Sequence, residues 1–283
     1  MAHSIRLPRI PMKNAAHNIA HTPVRPWRPG PLVQASIAVH GGALALAAAE
    51  PGLWPWALAG IALDHAVITA TGLWPRSSLL GANMTRLPDE AARRGEIWLT
   101  IDDGPEPAVT PQVLEILEAY GARASFFCIG QRITKHASLA REIVAAGHRI
   151  ENHTERHLHR FSLLGPSAMT EEIARGQDSI ANATGRRPQY FRAPAGLRNP
   201  FLDYVLHKQG LKLASWTRRG FDTREHDADI VLRRLTKNIA GGDILLLHDG
   251  HAAHPAGQQP VVLNVLPRLL EQLSAQNLKA VLV

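Results

Sequence analysis

The 283-residue sequence is short of cysteine, of aromatic residues and, before Glu50, of any acid. Its one thiol, Cys128, excludes an intrachain disulfide. That residue sits in the apolar run 124–129 and reads as a small buried hydrophobe. Aromatics make up 5%, with six Trp among them. The missing acid explains most of the formal charge of +7: Arg6, Arg9, Lys13, Arg25 and Arg28 precede Glu50 unopposed, and removing these five leaves +2. The basic character is therefore a tail and not a nucleic-acid-binding face, so no nucleic-acid partner is expected. Apolar residues, at 45%, suffice for a sizeable core.

Three zones follow one another. Residues 1–31 are basic, rich in Pro and His, and aperiodic, as expected of a disordered tail. Residues 32–75 hold two apolar stretches, 32–49 and 53–74, interrupted by Glu50-Pro51-Gly52. A bilayer crossing needs about 20 predominantly apolar residues, so a hydrophobic helical hairpin anchored in a membrane is expected here. Asp64 opposes a clean span, since a mid-bilayer Asp costs roughly 2.5–3.5 kcal/mol; the soluble alternative is a pair of buried helices. A cleaved signal peptide fits less well, because two apolar stretches are present and the basic segment ahead of them is too long. Arg76, Arg86, Arg93 and Arg94 follow the hairpin and no cation lies in 50–54. The positive-inside rule then puts both ends, and the domain that follows, on the cytoplasmic face of a bacterial-type inner membrane. Residues 76–94 read as a linker.

From residue 95 to 283 short apolar runs alternate with segments of helical periodicity, with no internal repeat. Strands are expected at 97–101, 124–129, 189–192, 211–216 and 243–248, with another ending near 152. Helices are expected at 111–120, 137–146, 169–184, 199–209, 228–239 and 260–276. Alternating units imply a parallel sheet, and about seven of them imply an α/β fold, a distorted (β/α) barrel.

Polar clusters recur where these strands end. Asp102-Asp103 follows Trp98–Ile101, His153 and His157 follow 149–152, Arg192 follows Tyr190-Phe191, Asp222 lies six residues past Trp216, and His248-Asp249 follows 244–247. In a barrel, strand ends converge on one mouth. The i, i+4 spacing of His153 and His157 places both imidazoles on one side of a helical turn, and an added carboxylate would give three metal ligands with an open position. Of two adjacent carboxylates, one can bind metal while its neighbour takes protons. His248, after four apolar residues, can protonate a leaving amine if a carboxylate keeps it charged.

Read in order, Thr100-Ile101-Asp102-Asp103-Gly104-Pro105, His153-Thr154-Glu155-Arg156-His157, Arg192-Ala193-Pro194-Ala195, the stretch 216–222 and Leu245-Leu246-Leu247-His248-Asp249 resemble the five motifs of the polysaccharide deacetylases, carbohydrate esterase family 4 with the NodB-homology domain. The resemblance implies Asp102 as general base and one divalent ion on Asp103, His153 and His157. Zinc suits that donor set, with cobalt or manganese as alternatives. It further implies that Arg192 holds Asp102 charged and oriented, that His248 is the general acid oriented by Asp222, and that the backbone N–H at Ala195 meets the oxyanion. Two departures stand out. Ala195 replaces an aromatic residue, and Arg218-Arg219 stands where a second acid is usual, favouring an anionic substrate such as one bearing phosphate. His251 and His254 lie beyond the motifs and are expected to be exposed.

The implied reaction is hydrolytic N-deacetylation of an amino-sugar glycan or a lipid-linked GlcNAc-type sugar. The rival readings are a polysaccharide O-acetyl esterase, a sugar N-deformylase and a catalytically inactive membrane-anchored glycan-binding protein.

Overall fold

Two apolar helices come first. In the computed structural model, which describes residues 26–254 and 259–283, α1 (Pro31–Ala49) and α2 (Trp54–Gly72) form a hairpin closed by a 3-10 turn at Pro51–Leu53. The expected tail lies almost entirely outside the described residues. Both helices carry proline in the first turn, where its missing N–H costs nothing. Neither presents a single buried stripe: Ile37, Leu44, Trp56 and Leu63 are each more than 60% exposed. With this apolar surface uncovered among the described residues, the two helices are not a pair of buried core helices. Asp64 is instead buried between the helices, where Ser36 Oγ donates to it at 2.7 Å and His40 lies 3.7 Å away.

The segment expected as a linker is packed. Leu80 and Leu87 are buried, Arg86 reaches Asp243 at 2.6 Å, and Met84 bridges Ala214 in parallel. A short helix, α3 (Asp89–Arg93), then leads into the sheet.

The remaining elements are β1 (Glu96–Asp102), α4 (Thr110–Ala119), β2 (Ala124–Cys128), α5 (Gly130–Lys135), α6 (Ala137–Ala145), β3 (Arg149–Asn152), α7 (Pro166–Thr184), β4 (Tyr190–Phe191), α8 (Leu202–Gln209), β5 (Lys212–Leu213), β6 (Arg218–Arg219), α9 (Ala228–Thr236), β7 (Ile244–His248), α10 (Val261–Ala275) and β8 (Lys279–Ala280). All pairs are parallel in the order β5-β4-β3-β2-β1-β7-β6, with β8 on the start of β1. The curled sheet is the distorted barrel that the alternation implies; β5 and β6 are its two edges and do not pair. The expected strand 211–216 is regular only at β5, while β6 and α5 had no periodic signal because each is too short to show one.

Period two decides which side chains enter the barrel. On β1, Leu99 and Ile101 face outward into the core with α4, α9 and α10, whereas Trp98 packs inward with Phe127, Tyr190, Trp216 and Leu246. Thr100 and Asp102 share the inward face of Trp98, and His248 shares that of Ile244 and Leu246. Cys128 is buried in the outer core, where burial pushes its thiol pKa well up, so it is an inert apolar filler.

Candidate active site

The register that pairs Asp102 with His248 across β1 and β7 brings the first and fifth motifs together at the C-terminal rim of the sheet. Arg192 reaches this point from the end of β4. It is buried and spends its guanidinium on Asp102 Oδ1 (2.6 Å), Thr100 Oγ1 (2.8 Å) and the carbonyls of Ala214 and Ser215 (3.2 and 2.9 Å). His248 donates its backbone N–H to Asp222 Oδ2 (2.7 Å) and holds Oδ1 with its ring Nδ1 (2.9 Å). Burial opposes a charge on this imidazole, but the Asp222 carboxylate outweighs it and raises the pKa to about 9. The ring is therefore an imidazolium at neutral pH.

Asp103 follows β1 in a left-handed conformation, φ 74°, which turns its side chain away from the alternation that governs Asp102. Its Oδ1 lies 3.3 Å from both His153 Nε2 and His157 Nε2 and, though buried, has no hydrogen-bond partner. Against the cost of burial, His153 and His251 hold the Asp103 carboxyl well below the usual range.

The two histidines do not share a helix. The expectation of a helical turn at 153–157 is corrected: these residues form a loop with Thr154 at φ 67° and His157 at φ 52°. The loop is strapped in place. Thr154 N donates to Asn152 Oδ1, His157 N to Thr154 Oγ1, and buried Glu172 on α7 receives both the Arg156 backbone N–H and its Nε. Close approach is needed as well: a Cβ at Gly176 would lie 2.8 Å from Asn152 Oδ1, and one at Gly130 would collide with Glu155.

His153 Nδ1 donates to the Arg192 carbonyl at 2.8 Å, which turns Nε2 toward Asp103. Burial opposes protonation of His153, yet Asp103 and Asp102 raise its pKa, and the attraction that favours a proton there equally favours a metal cation. His157 is neutral, its pKa lowered to about 4 by burial and by His153. Its lone pair is thus available. Bonds of about 2.0–2.1 Å in a tetrahedral zinc site separate the donors by roughly 3.3–3.4 Å, which matches both Asp103 contacts. The donor set fits a divalent ion of borderline softness.

Three further groups were not assigned from sequence. His251, expected to be exposed, has a half-exposed ring, but its Nδ1 lies 3.1 Å from Asp103 Oδ2. Asp249 is buried, accepts hydrogen bonds from Thr110 Oγ1 and Gly250 N, and abuts Gly104, bracing the Asp-Gly-Pro turn. Burial raises its pKa to about 6. Trp216 forms a wall. The spacing of His251 three residues past His248 was the available signal; neither exposure nor burial can be read from it.

Asp102, Asp103, the three site histidines, His251 and Trp216 border one cavity of about 570 Å³ that also takes in Ala195, Gly196, Arg156, Arg219 and Arg224. Ala195, exposed on the cavity wall, is left-handed at φ 54° within the turn Pro194–Gly196. Of the sequence-derived set, Asp102, Asp103, His153, His157, Ala195 and His248 line this cavity, with Arg192 and Asp222 directly behind Asp102 and His248.

A parallel (β/α) half-barrel with a buried His₂Asp donor set, an Arg-held carboxylate and an Asp-held imidazolium defines a hydrolase-type site of the carbohydrate esterase kind. The chain belongs to the polysaccharide deacetylase family, whose sequence profile matches residues 89–214. It is 32% identical over 189 residues to the peptidoglycan-N-acetylglucosamine deacetylase of Bacillus cereus, covering 66% of this chain and 85% of that protein. It is 35% identical over 161 residues to the chitooligosaccharide deacetylase of Azorhizobium caulinodans, covering 56% and 75%. Among solved structures, the family 4 carbohydrate esterase of Streptomyces lividans in complex with acetate superposes with a TM-score of 0.60 at 33% identity, covering 67% of this chain and 93% of that one. A family pseudoenzyme from Bacillus anthracis shares the fold at a TM-score of 0.63 and 22% identity, covering 70% and 66%.

Proposed function

We propose that this chain is a metal-dependent hydrolase that removes N-acetyl groups from an amino-sugar glycan or from a lipid-linked sugar of the GlcNAc type. The observation that carries the reading is the unpartnered Asp103 Oδ1, buried 3.3 Å from two imidazole nitrogens, between an Arg-held Asp102 and an Asp-held His248. Asp103, His153 and His157 would hold the ion, zinc by donor type. When bound it supplies Lewis acidity toward the amide carbonyl and acidifies water. Asp102 takes the proton of the attacking water, and Arg192 fixes the carboxylate that receives it. The Ala195 backbone N–H donates to the carbonyl oxygen as negative charge develops there, a contribution of roughly 2.7–4 kcal/mol for such a donor. His248 delivers its proton to the departing nitrogen, which leaves as the free amine while acetate retains the new oxygen. Asp222 keeps that proton available.

Incubation of the zinc-loaded protein with a chitooligosaccharide tests this. Acetate and free amine should appear in equal amounts, and Asp102→Asn should abolish both. Acetate without amine on an O-acetylated glycan would identify an esterase, formate a deformylase. Turnover unaffected by Asp102→Asn would revive the inactive glycan-binding reading, against which the intact set of acid, base and donor residues stands.

The lipid-linked version has separate support. α2 ends at Gly72, where an added Cβ would strike the Arg198 carbonyl, and Pro75 packs on Gly196 beside Trp216 at the cavity. The hairpin, read as a membrane anchor of residues 32–75, therefore emerges against the third motif, and a sugar carried at the bilayer surface would meet the cavity directly. The cations flanking the hairpin support a cytoplasmic face of a bacterial inner membrane.

A further inference from the structure

The neighbouring arginines of β6 have different fates. Arg218 is spent: Nε bonds Asp243 at 2.5 Å, and its terminal nitrogens cap the carbonyls of Lys237 and Asn238. Arg219, one residue on, borders the catalytic cavity. Among the described residues its guanidinium has no carboxylate partner and no hydrogen-bond acceptor, and its Nε is buried without any. Its guanidinium carbon lies over two aromatic rings, 5.3 Å from the Trp216 centroid and 5.1 Å from that of Phe221. These cation–π contacts place the guanidinium and leave its N–H donors unspent. A buried donor without an acceptor is costly, and more so when charged, so a site that retains one has a use for it.

The other cavity arginines separate cleanly. Arg132 is paired with Glu106 and Arg156 with Glu172, whereas Arg224, at the rim, has no ion pair among the described residues. Among those residues the acids lining the cavity are Asp102 and Asp103, both already committed.

We infer that Arg219, assisted by Arg224, forms an oxyanion subsite beside the deacetylation centre, which holds a phosphate or carboxylate borne by the amino-sugar substrate. Arginine recognises both groups through paired parallel N–H donors, and a guanidinium already placed by aromatic rings loses little freedom on binding. The subsite deepens the proposed deacetylase reading and rests on it for the identity of the sugar. It also gives the hairpin a purpose, since a sugar phosphate at a bilayer surface offers this group beside the point where α2 ends.

Binding, measured without turnover, separates this inference from that reading. Zinc-loaded full-length Asp102→Asn protein in detergent is titrated calorimetrically with N-acetylglucosamine, N-acetylglucosamine 1-phosphate and a glucuronic-acid-linked N-acetylglucosamine disaccharide. At least one charged probe should bind about tenfold or more tightly than the neutral sugar. The better charged probe identifies the source of the oxyanion. Adding Arg219→Gln should bring the ratio close to one, and Arg219→Lys, which keeps charge but not the fork, should retain part of it. Equal affinity for all three probes would overturn the subsite. So would a charged-probe preference that survives Arg219→Gln, which would assign the anion to the metal itself. Failure to release acetate in the separate turnover assay would sink the deacetylase reading and leave the binding result standing. Should Arg219→Gln fail to fold, the Arg219→Lys ratio decides: a preference undiminished from the parent overturns the subsite.

Discussion

Asp222 grips His248 twice, accepting the backbone N–H with one oxygen at 2.7 Å and the ring Nδ1 with the other at 2.9 Å. The two contacts fix the ring orientation and leave Nε2 to carry the mobile proton toward the cavity. Because a single carboxylate serves both main chain and side chain, its removal disturbs charge and position together.

The pH profile should report this pair. His248 has a pKa raised to about 9 from 6.5, so the proposed general acid is charged through neutrality and kcat should fall as pH rises through about 9. Asp222→Asn should move that alkaline limb down by at least about one pH unit, read from kcat against pH. The sign for stability is the same: the contribution of His248 is complete below about pH 6.5 and is lost as pH rises through about 9. An alkaline limb unmoved by Asp222→Asn would remove Asp222 from this role.

His251 supplies a second test. Its Nδ1 contact with Asp103 Oδ2 orients the carboxylate whose other oxygen faces the two imidazoles. Groups of this kind typically affect metal affinity by about 10–100-fold. His251→Ala should therefore weaken zinc retention by about tenfold against a chelator, measured by metal analysis after dialysis, with an unchanged circular dichroism spectrum. Chelation of the wild-type protein should abolish acetate release, and zinc should restore it.

The Asp102–Arg192 pair should be asymmetric under mutation. Arg192→Ala leaves a buried carboxylate, a hydroxyl and two carbonyls without their donor and should lower stability by about 3–5 kcal/mol in urea unfolding. Asp102→Asn keeps an acceptor in place for Arg192, so it should cost less than half of that while removing the base. Equal destabilisation would mean that Arg192 needs the charge of Asp102, and not merely an acceptor, to hold its place.

Gly104→Ala probes the brace under the Asp-Gly-Pro turn. The new Cβ would lie 2.5 Å from both Asp249 oxygens, and Asp249 is tied to Thr110 and Gly250 and cannot swing away. Overpacking of this kind costs about 1–3 kcal/mol. Zinc stoichiometry should fall, because the turn carries Asp103, while the melting transition stays cooperative.

Much of this was legible in the sequence, for identifiable reasons. β1 and β7 are buried on both faces and so read as short continuous apolar runs, and because each run ends abruptly in polar residues, Asp102 and His248 could be assigned to strand ends. His153 and His157 were legible as a pair but not as a loop: i, i+4 spacing reads as helix, and sequence does not show that Asn152 beside the segment and Glu172 on α7 override it by binding its backbone N–H groups. Arg218 and Arg219 looked alike because sequence cannot show that Asp243 consumes one of them. Residues 76–94 looked like a linker because isolated Leu80, Met84 and Leu87 carry no periodic signal, although each is placed by the sheet edge or core it meets.

The hairpin makes the last prediction. Apolar residues of both helices face outward, while Asp64, the one acid within the helices, is turned inward onto Ser36 and close to His40, the arrangement expected of a helix pair set in hydrocarbon. The protein should stay in the membrane fraction through an alkaline carbonate wash. On the proposed topology, with the flanking arginines on the cytoplasmic side, a reporter fused after Val283 should register as cytoplasmic. Ser36→Ala should weaken the helix pair only modestly, by about 0.6–1.7 kcal/mol, as interhelical hydrogen bonds in bilayers do. Replacing Leu44 and Leu63 with Asp puts charge on the outward faces and should release the protein from the membrane. A periplasmic reporter signal would exclude a cytoplasmic lipid-linked substrate, because the cavity that Pro75 joins to the end of α2 would then open onto the opposite face of the membrane.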